Sequence, residues 1–432
     1  MFSMRLSPIS SRFLEVLAIA LLAHQFTQPG AIANPSTPEP VNSPPSTTDW
    51  RSPKGLVDEV WQIVDRAYID RKLNQQDWNA IRQRYLNRSY GSYEDAYPAI
   101  REMLKLLGDP FTAFYDPVAY QNLQNTTANI TQTGLKFIND GETQAVTIIQ
   151  VSENSPAQKA GILPQDIITA IDGKPVERKA FSEVLTLLQG NLGTYVTLGI
   201  LRNGQPLTFR IQRAQIEIIP VRYRVEETAF GRVGYIRLLQ FSSKTAEDMK
   251  AAIEALEKQN VKGYVFDLRS NPGGLLFASI EISRMWLDRG IIFSMIQRDG
   301  IQDQNKANNS ALTQKPLVIL INGDSASASE IVAAALQENQ RATLVGTRTK
   351  GYNSIQSVKT LENGSGLAVT VAKWLTPRGR DINRTGLNPD VVVELTNSQQ
   401  QNLFRDGKIG TIADPQFAKA LEMLNQKLRT SR

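Results

Sequence analysis

Two stretches of the chain hold residue types suited to covalent chemistry. In DLRSNPGG, residues 267 to 274, paired glycines follow the apolar run GYVF, and backbone N–H groups there can approach a ligand with no Cβ in the way. The helical pattern that follows aims its positive dipole end at the same spot, so the loop suits an oxyanion. A tight turn with Asp267 and Arg269 as a structural ion pair fits the same residues. In INGDSASASEIVAAALQ, residues 321 to 337, three serines alternate with alanines between a buried strand pattern and a helix. A serine at a helix entrance gains a neighbouring N–H to hold developing negative charge. Equally, Ser325, Ser327 and Ser329 can simply cap the helix, with Glu330 at the spacing that completes a capping box from Ser327.

The groups able to activate such a serine are few. The chain has 432 residues, no Cys and one His, His24. Without Cys there are no disulfides, thiol nucleophiles, iron-sulfur ligands or Cys-type zinc sites. Residues 1–33 read as a secretory signal, with Arg5 and Arg12 ahead of or beside an apolar core from Phe13 to Ala23 and a small-x-small cut after Ala33. That core is about eleven residues against the roughly 20 a bilayer span needs, so membrane contact is expected only through this segment if it stays uncleaved. No Arg-Arg pair precedes it, which favours the general export route. Cleavage removes His24. A Ser-His-Asp triad and a His-ligated zinc are then impossible, and acid-base chemistry falls to Lys, Tyr, Asp or Glu. No metal or organic cofactor is called for. The net charge of +6 becomes +5 once Arg5, Arg12 and Glu15 are gone, with no basic run of five or more, so nucleic acid is not an expected partner.

The elements that must position these residues follow from periodicity. Residues 34–50 are a Pro/Ser/Thr-rich tether. From Pro53, Leu56, Val60, Trp61, Val64 and Tyr68 keep helical spacing, with further helices around Trp78 to Leu86 and Ala96 to Leu107, so 51–127 is expected to be a helical N-terminal domain. Residues 128–215 carry short strands with turns at Asn139-Asp140-Gly141, Asp172-Gly173 and Asn203-Gly204, a helix from about Arg178 to Leu188 and a shorter one from Pro156 to Gly161. This pattern predicts a small, partly open β-barrel. Over 216–397 strands and helices alternate as stacked βα units with a largely parallel sheet. Residues 398–432 are a polar tail closing in a helix around Phe417 to Leu428.

The string SASASEIVAAALQENQRATLVG, with DLRSNPGG before it and GSGLAVTVAKWLTPRGRDIN after, resembles the carboxyl-terminal processing peptidases, or tail-specific proteases. The likeness runs over nearly the whole mature chain and is closest to members from photosynthetic lineages. SPAQKAGI (155–162) and QDIITAIDGKPV (165–176) resemble that family's PDZ domain, and LVDEVWQIVDRAYID and LGDPFTAFYDP its N-terminal part. The resemblance implies a multidomain α/β protein: helical N-terminal domain, PDZ barrel and a crotonase-like protease core. It makes Ser327 the nucleophile, Gly273 and Ala328 the backbone oxyanion donors, and Asp267, Arg269 and Glu330 supports of the site. Gln356 matches the residue that orients the general base. Gly134, Leu135, Lys136 and Phe137 resemble the carboxylate loop and pairing strand that bind a protein or peptide C-terminus. The expected location is the periplasm or the thylakoid lumen. One family substrate is the precursor of a photosystem II reaction-centre subunit.

The general base is where this sequence departs. The family reads Phe-Gly-Lys-Gly, with its lysine 25 residues after the serine, whereas this chain reads Lys350-Gly351-Tyr352-Asn353. Tyr352 stands at the lysine position. Burial lowers a lysine toward neutrality but disfavours phenolate, so a tyrosine there is a donor rather than a base unless a cation stabilises it, which leaves Lys350 or Tyr352 for the base position. If 350–352 is extended, Lys350 and Tyr352 point to one face about 6 to 7 Å apart, and Lys350 can reach Ser327 from two residues upstream. Two readings remain open: an exported serine endopeptidase that binds substrate tails through its PDZ domain, and an inactive PDZ-containing pseudoprotease that only binds C-termini. A crotonase-like lyase fits the fold but neither the export signal nor the PDZ segment.

Overall fold

The computed structural model describes residues 51–127, 130–139, 145–152, 154–177, 179, 181–217, 219–300 and 302–430. The expected signal, the tether and the tip of the Asn139-Asp140-Gly141 turn lie outside the described residues. The described residues fall into two compact units.

The first unit comprises Asn129–Ile219 with Leu395–Asp414. Its main sheet runs, in spatial order, Leu135–Asn139, Val146–Val151, Ile167–Ile171, Tyr195–Arg202 and Gln205–Gln212, every neighbour antiparallel. Alternating apolar residues, among them Val196, Leu198 and Ile200, bury one face. The helix Pro156–Ala160 starts with Pro after its Ser155 cap and stops at Gly161, whose φ of 91° only glycine adopts without strain. The helix Asn397–Arg405 brings Phe404 into the same core. A helical tail was expected as one segment from 398, but the tail divides, and its first helix belongs to this unit.

The second unit holds 51–127, Pro220–Glu394 and 415–430. A six-stranded sheet runs Val221–Thr228, Gly231–Leu238, Gly263–Asp267, Leu317–Ile321, Ala342–Gly346 and Val391–Val392. Only its first pair is antiparallel. Its central strands are buried on both faces, as parallel strands between helices must be. The helices Thr245–Lys258, Leu276–Trp286 and Ala328–Glu338 pack on one face. Phe417, Ala420, Leu421 and Leu424 of the last helix, Pro415–Thr430, cover Tyr235, Val265, Val318 and Leu320 on the other.

A second, antiparallel sheet was not foreseen. Gly366–Leu375 is its hub, pairing with Ala113–Tyr115, Ile291–Gln297 and Ser354–Thr360. The helices Pro53–Ala67, Trp78–Leu86 and Tyr93–Lys105 form as the spacing predicts. They are not a separate body, however, because Leu56, Val60, Ile100 and Met103 share one apolar cluster with Leu361, Leu367 and Val369. Periodicity shows that a helix has an apolar face but not what covers it. Among the described residues, no helix is long and apolar enough to cross a membrane.

Candidate active site

The strands Gly263–Asp267 and Leu317–Ile321 run parallel, Asp267 opposite Leu320, and so deliver both glycine- and serine-rich stretches to the same sheet end. Asp267 is fully buried. Arg269 grips it through Nε and Nη2 at 2.9 and 2.6 Å, and the Tyr235 hydroxyl donates to it at 2.7 Å. Burial alone would raise the Asp267 carboxyl, but the Arg269 charge and these donors outweigh it and hold the group below its usual range. Arg269 also donates to Gln416 of the last helix, at 2.9 Å. The turn-and-ion-pair reading of this stretch is therefore correct as far as it goes.

The 271–274 turn then meets the serine turn backbone to backbone. Gly273 has φ 96°, and a Cβ there would lie 2.7 Å from Ala326 O and 2.9 Å from Ala328 N. Asn271, a residue the sequence gave no reason to single out, holds the two turns together. Its carbonyl accepts from Ala326 N (3.1 Å) and Ser329 Oγ (2.9 Å), and its Oδ1 accepts from Gly273 N at 2.9 Å. One of the two expected oxyanion donors is thus engaged within the protein. No hydrogen bond engages the Ala328 N–H among the described residues.

The three alternating serines separate cleanly. Ser325 Oγ donates to Leu268 O at 2.8 Å and Ser329 Oγ to Asn271 O, so both are structural. Ser327 sits at φ 54°, ψ −113°, a costly conformation for a residue with a Cβ. Its side chain is 1% exposed and its Oγ has no hydrogen-bond partner. The capping box is only half made: Ser327 N donates to Glu330 Oε2 at 2.8 Å, while the Glu330 N–H goes to the Ser327 carbonyl rather than to Oγ. Ser327 does not spend its hydroxyl on capping the helix.

Glu330 is the hinge between the serine and the loop that follows Gly346. Its two oxygens accept from Thr349 Oγ1 (2.5 Å), Gly351 N (2.7 Å), Tyr352 N (2.9 Å) and Ser327 N. Burial pushes its carboxyl up to about 7 against the pull of these four donors. Gly351, at φ 87°, bends the loop, so the condition of an extended 350–352 is not met. Lys350 Nζ nevertheless lies 5.9 Å from the Tyr352 ring centre. Burial lowers the Lys350 amine, although Asp324 and Glu330 pull it the other way. The Tyr352 ring packs edge-on against Phe111, with centres 5.0 Å apart.

Gln356 lies fully buried on the strand Ser354–Thr360. Its Nε2 donates to Thr370 Oγ1 at 3.4 Å, and its Oε1 has no partner. Thr370 Oγ1 in turn donates to Asp109 Oδ2 at 2.7 Å. Asp109, Phe111, Thr112 and Thr370 were not predicted as site residues. The string LGDPFTAFYDP carries a family likeness but no side-chain role, and a contact across 261 residues leaves no local signal.

In the first unit, Gly134 has φ 83°, and a Cβ there would fall 2.2 Å from Ser155 Cβ. Its carbonyl accepts from Ser152 N at 2.7 Å. Leu135, Lys136 and Phe137 begin the terminal strand of that sheet, Leu135 opposite Val151, with a bulge after Lys136. Burial pushes the Lys136 amine down to about 8.

Comparison with known proteins agrees with this architecture. Residues 232–393 match the model of peptidase family S41, and residues 125–212 that of the PDZ domain. A carboxyl-terminal-processing protease of Synechocystis sp. is 41% identical over 384 residues, covering 88% of each chain. The chloroplastic carboxyl-terminal-processing peptidase 2 of Arabidopsis thaliana is 36% identical, over 89% of this chain and 77% of its own. The solved photosystem II D1 C-terminal processing protease superposes with a TM-score of 0.68 at 36% identity, over 79% of this chain and 93% of that one. With its PDZ domain, its mixed α/β core and these relatives, the chain belongs to peptidase family S41, among the carboxyl-terminal-processing serine endopeptidases.

Proposed function

We propose that this protein is an exported endopeptidase that takes the C-terminal tail of a protein substrate in its PDZ domain and cleaves the chain near that end through Ser327. The observation that carries the reading is the sorting of the three serines. Two spend their hydroxyls on backbone carbonyls, while Ser327 keeps its own unpaired on a strained turn against Gly273. Attack by Ser327 Oγ on a peptide carbonyl gives a tetrahedral oxyanion. The Ala328 N–H takes it directly, and the Gly273 N–H joins once Asn271 Oδ1 releases it. Lys350, desolvated and close to Glu330 and Tyr352, accepts the serine proton and returns it to the leaving amine. Glu330 fixes the serine turn to the 349–352 loop, Gln356 orients the base, and the Asp267–Arg269 pair anchors the glycine turn. In the PDZ unit the Gly134 turn receives the terminal carboxylate, and the tail adds as a further strand beside Leu135–Phe137, at the sheet edge. Periplasm and thylakoid lumen are the compartments that fit the signal and the relatives.

A second reading is favoured by one observation. Ser327 Oγ and Gln356 Oε1 are both without partners, as expected where Tyr352 stands at the position that the resemblance gives to a lysine. On that reading the protein binds tails and does not cut them. The test is to incubate the mature chain, and its Ser327→Ala variant, with unstructured peptides bearing free apolar C-termini. Cleavage by the wild type alone supports the peptidase. Saturable binding with no product from either leaves the binding protein.

A further inference from the structure

We infer that Asp109 is a positioning residue for the base side of the site, setting the direction of the Gln356 amide through Thr370. The inference deepens the peptidase reading and rests on it for its catalytic consequence. The proton count is closed. A carboxylate only accepts. Asp109 Oδ2 is 2.7 Å from both Thr112 Oγ1 and Thr370 Oγ1, and Oδ1 accepts from Phe111 N at 3.0 Å, so each threonine spends its single hydroxyl proton on Asp109. Thr112 Oγ1 is then an acceptor for its other partner, as its contact from Thr370 N at 3.1 Å requires. Thr370 Oγ1 likewise has only lone pairs left for Gln356, so the amide must turn Nε2 toward it and Oε1 away. That Oε1 is the buried acceptor without a partner. A side chain with its donor end fixed and its acceptor end vacant is set to receive a proton-bearing group, which in the reading above is the cationic base. The same 109–112 turn sets Phe111 against Tyr352, so one loop of the N-terminal segment constrains both base-side residues.

An isosteric change reverses this polarity. In Asp109→Asn the oxygen must stay opposite Phe111 N, because two facing donors are excluded. The new NH2 then donates to both threonines, the Thr370 hydroxyl turns to Gln356, and the amide flips to offer Nε2 where Oε1 had been. Neutron diffraction reads the flip directly, without turnover. Peptide hydrolysis gives the catalytic effect: kcat down about tenfold to a hundredfold with KM within about twofold. Thr370→Val, which removes the relay, should lose kcat similarly, and Thr370→Ser, which keeps it, should retain wild-type kcat. Should Asp109→Asn fail to fold, the two Thr370 variants still decide. A folded Asp109→Asn protein with the Gln356 amide in its original direction overturns the inference, as does equal kcat in Thr370→Val and Thr370→Ser. If the wild type binds tails but cuts none, the peptidase reading fails, and the amide direction alone then decides this one.

Discussion

The two halves of the site are built differently. On the serine side Asp267, Arg269, Asn271, Ser325 and Ser329 all have partners at hydrogen-bonding distance, and a glycine turn lies against the serine turn with no room for a Cβ. Across from it Gln356 Oε1 and Asn353 Oδ1 are buried without partners, and the loop that carries Lys350 and Tyr352 is bent at Gly351. Buried polar atoms without partners cost about 1–3 kcal/mol each, so they persist where function or a bound group accounts for them. The contrast teaches that the turn around Ser327 is held by partners of its own, whereas the loop that follows Gly346 leaves buried polar atoms open. Glu330 ties the two halves by accepting from Thr349 Oγ1 and from the backbone N–H groups of Gly351 and Tyr352, two donors that do not depend on the side chains at 351 and 352, proline excepted.

If the serine side is the intact half, breaking it should have the largest effect. Ser327→Ala should lower kcat/KM at least about a thousandfold while leaving the melting temperature unchanged or slightly raised, since it removes a buried, unpaired hydroxyl. A loss of stability instead would mean that Ser327 is a packing residue. Asp267→Asn should cost about 3–5 kcal/mol in denaturant unfolding at pH 7, because Arg269 is left buried without its carboxylate. The Asp267 pKa is depressed in the folded state. Its stabilisation is therefore present above the unfolded carboxyl pKa and lost as pH falls through the folded value. The gap between wild type and variant should shrink on acidification, and a constant gap would remove Asp267 as the cause. Gly134→Ala probes the PDZ unit by itself. A Cβ against Ser155 should weaken binding of a long tail about tenfold, measured by titration, and leave the rate on a short peptide unchanged.

Much of this was legible in the sequence because it is local. The strand-loop-helix signatures around 267–274 and 321–337, the Gly161 stop and the buried run GYVF all follow from residues within one or two turns of each other. Non-local features were not. The antiparallel sheet escaped because its strand Gln302–Lys306 is wholly polar, and its hub, Gly366–Leu375, collects partners from 113 to 360. Serine capping and serine catalysis have the same spacing. Only the backbone angles of Ser327 and the spent hydroxyls of its neighbours separate them. The Asp109–Thr370–Gln356 chain joins a remote turn to two paired strands, and the 261-residue step from Thr370 to Asp109 is the part that leaves no local signal.

Single-turnover hydrolysis of a tail peptide by the wild type, Lys350→Ala and Tyr352→Phe tests the central claim most directly. The account predicts cleavage by the wild type, a loss of about a hundredfold or more in Lys350→Ala, and near-normal rates in Tyr352→Phe, since the amine and not the phenol takes the serine proton. Undiminished cleavage by Lys350→Ala would contradict it.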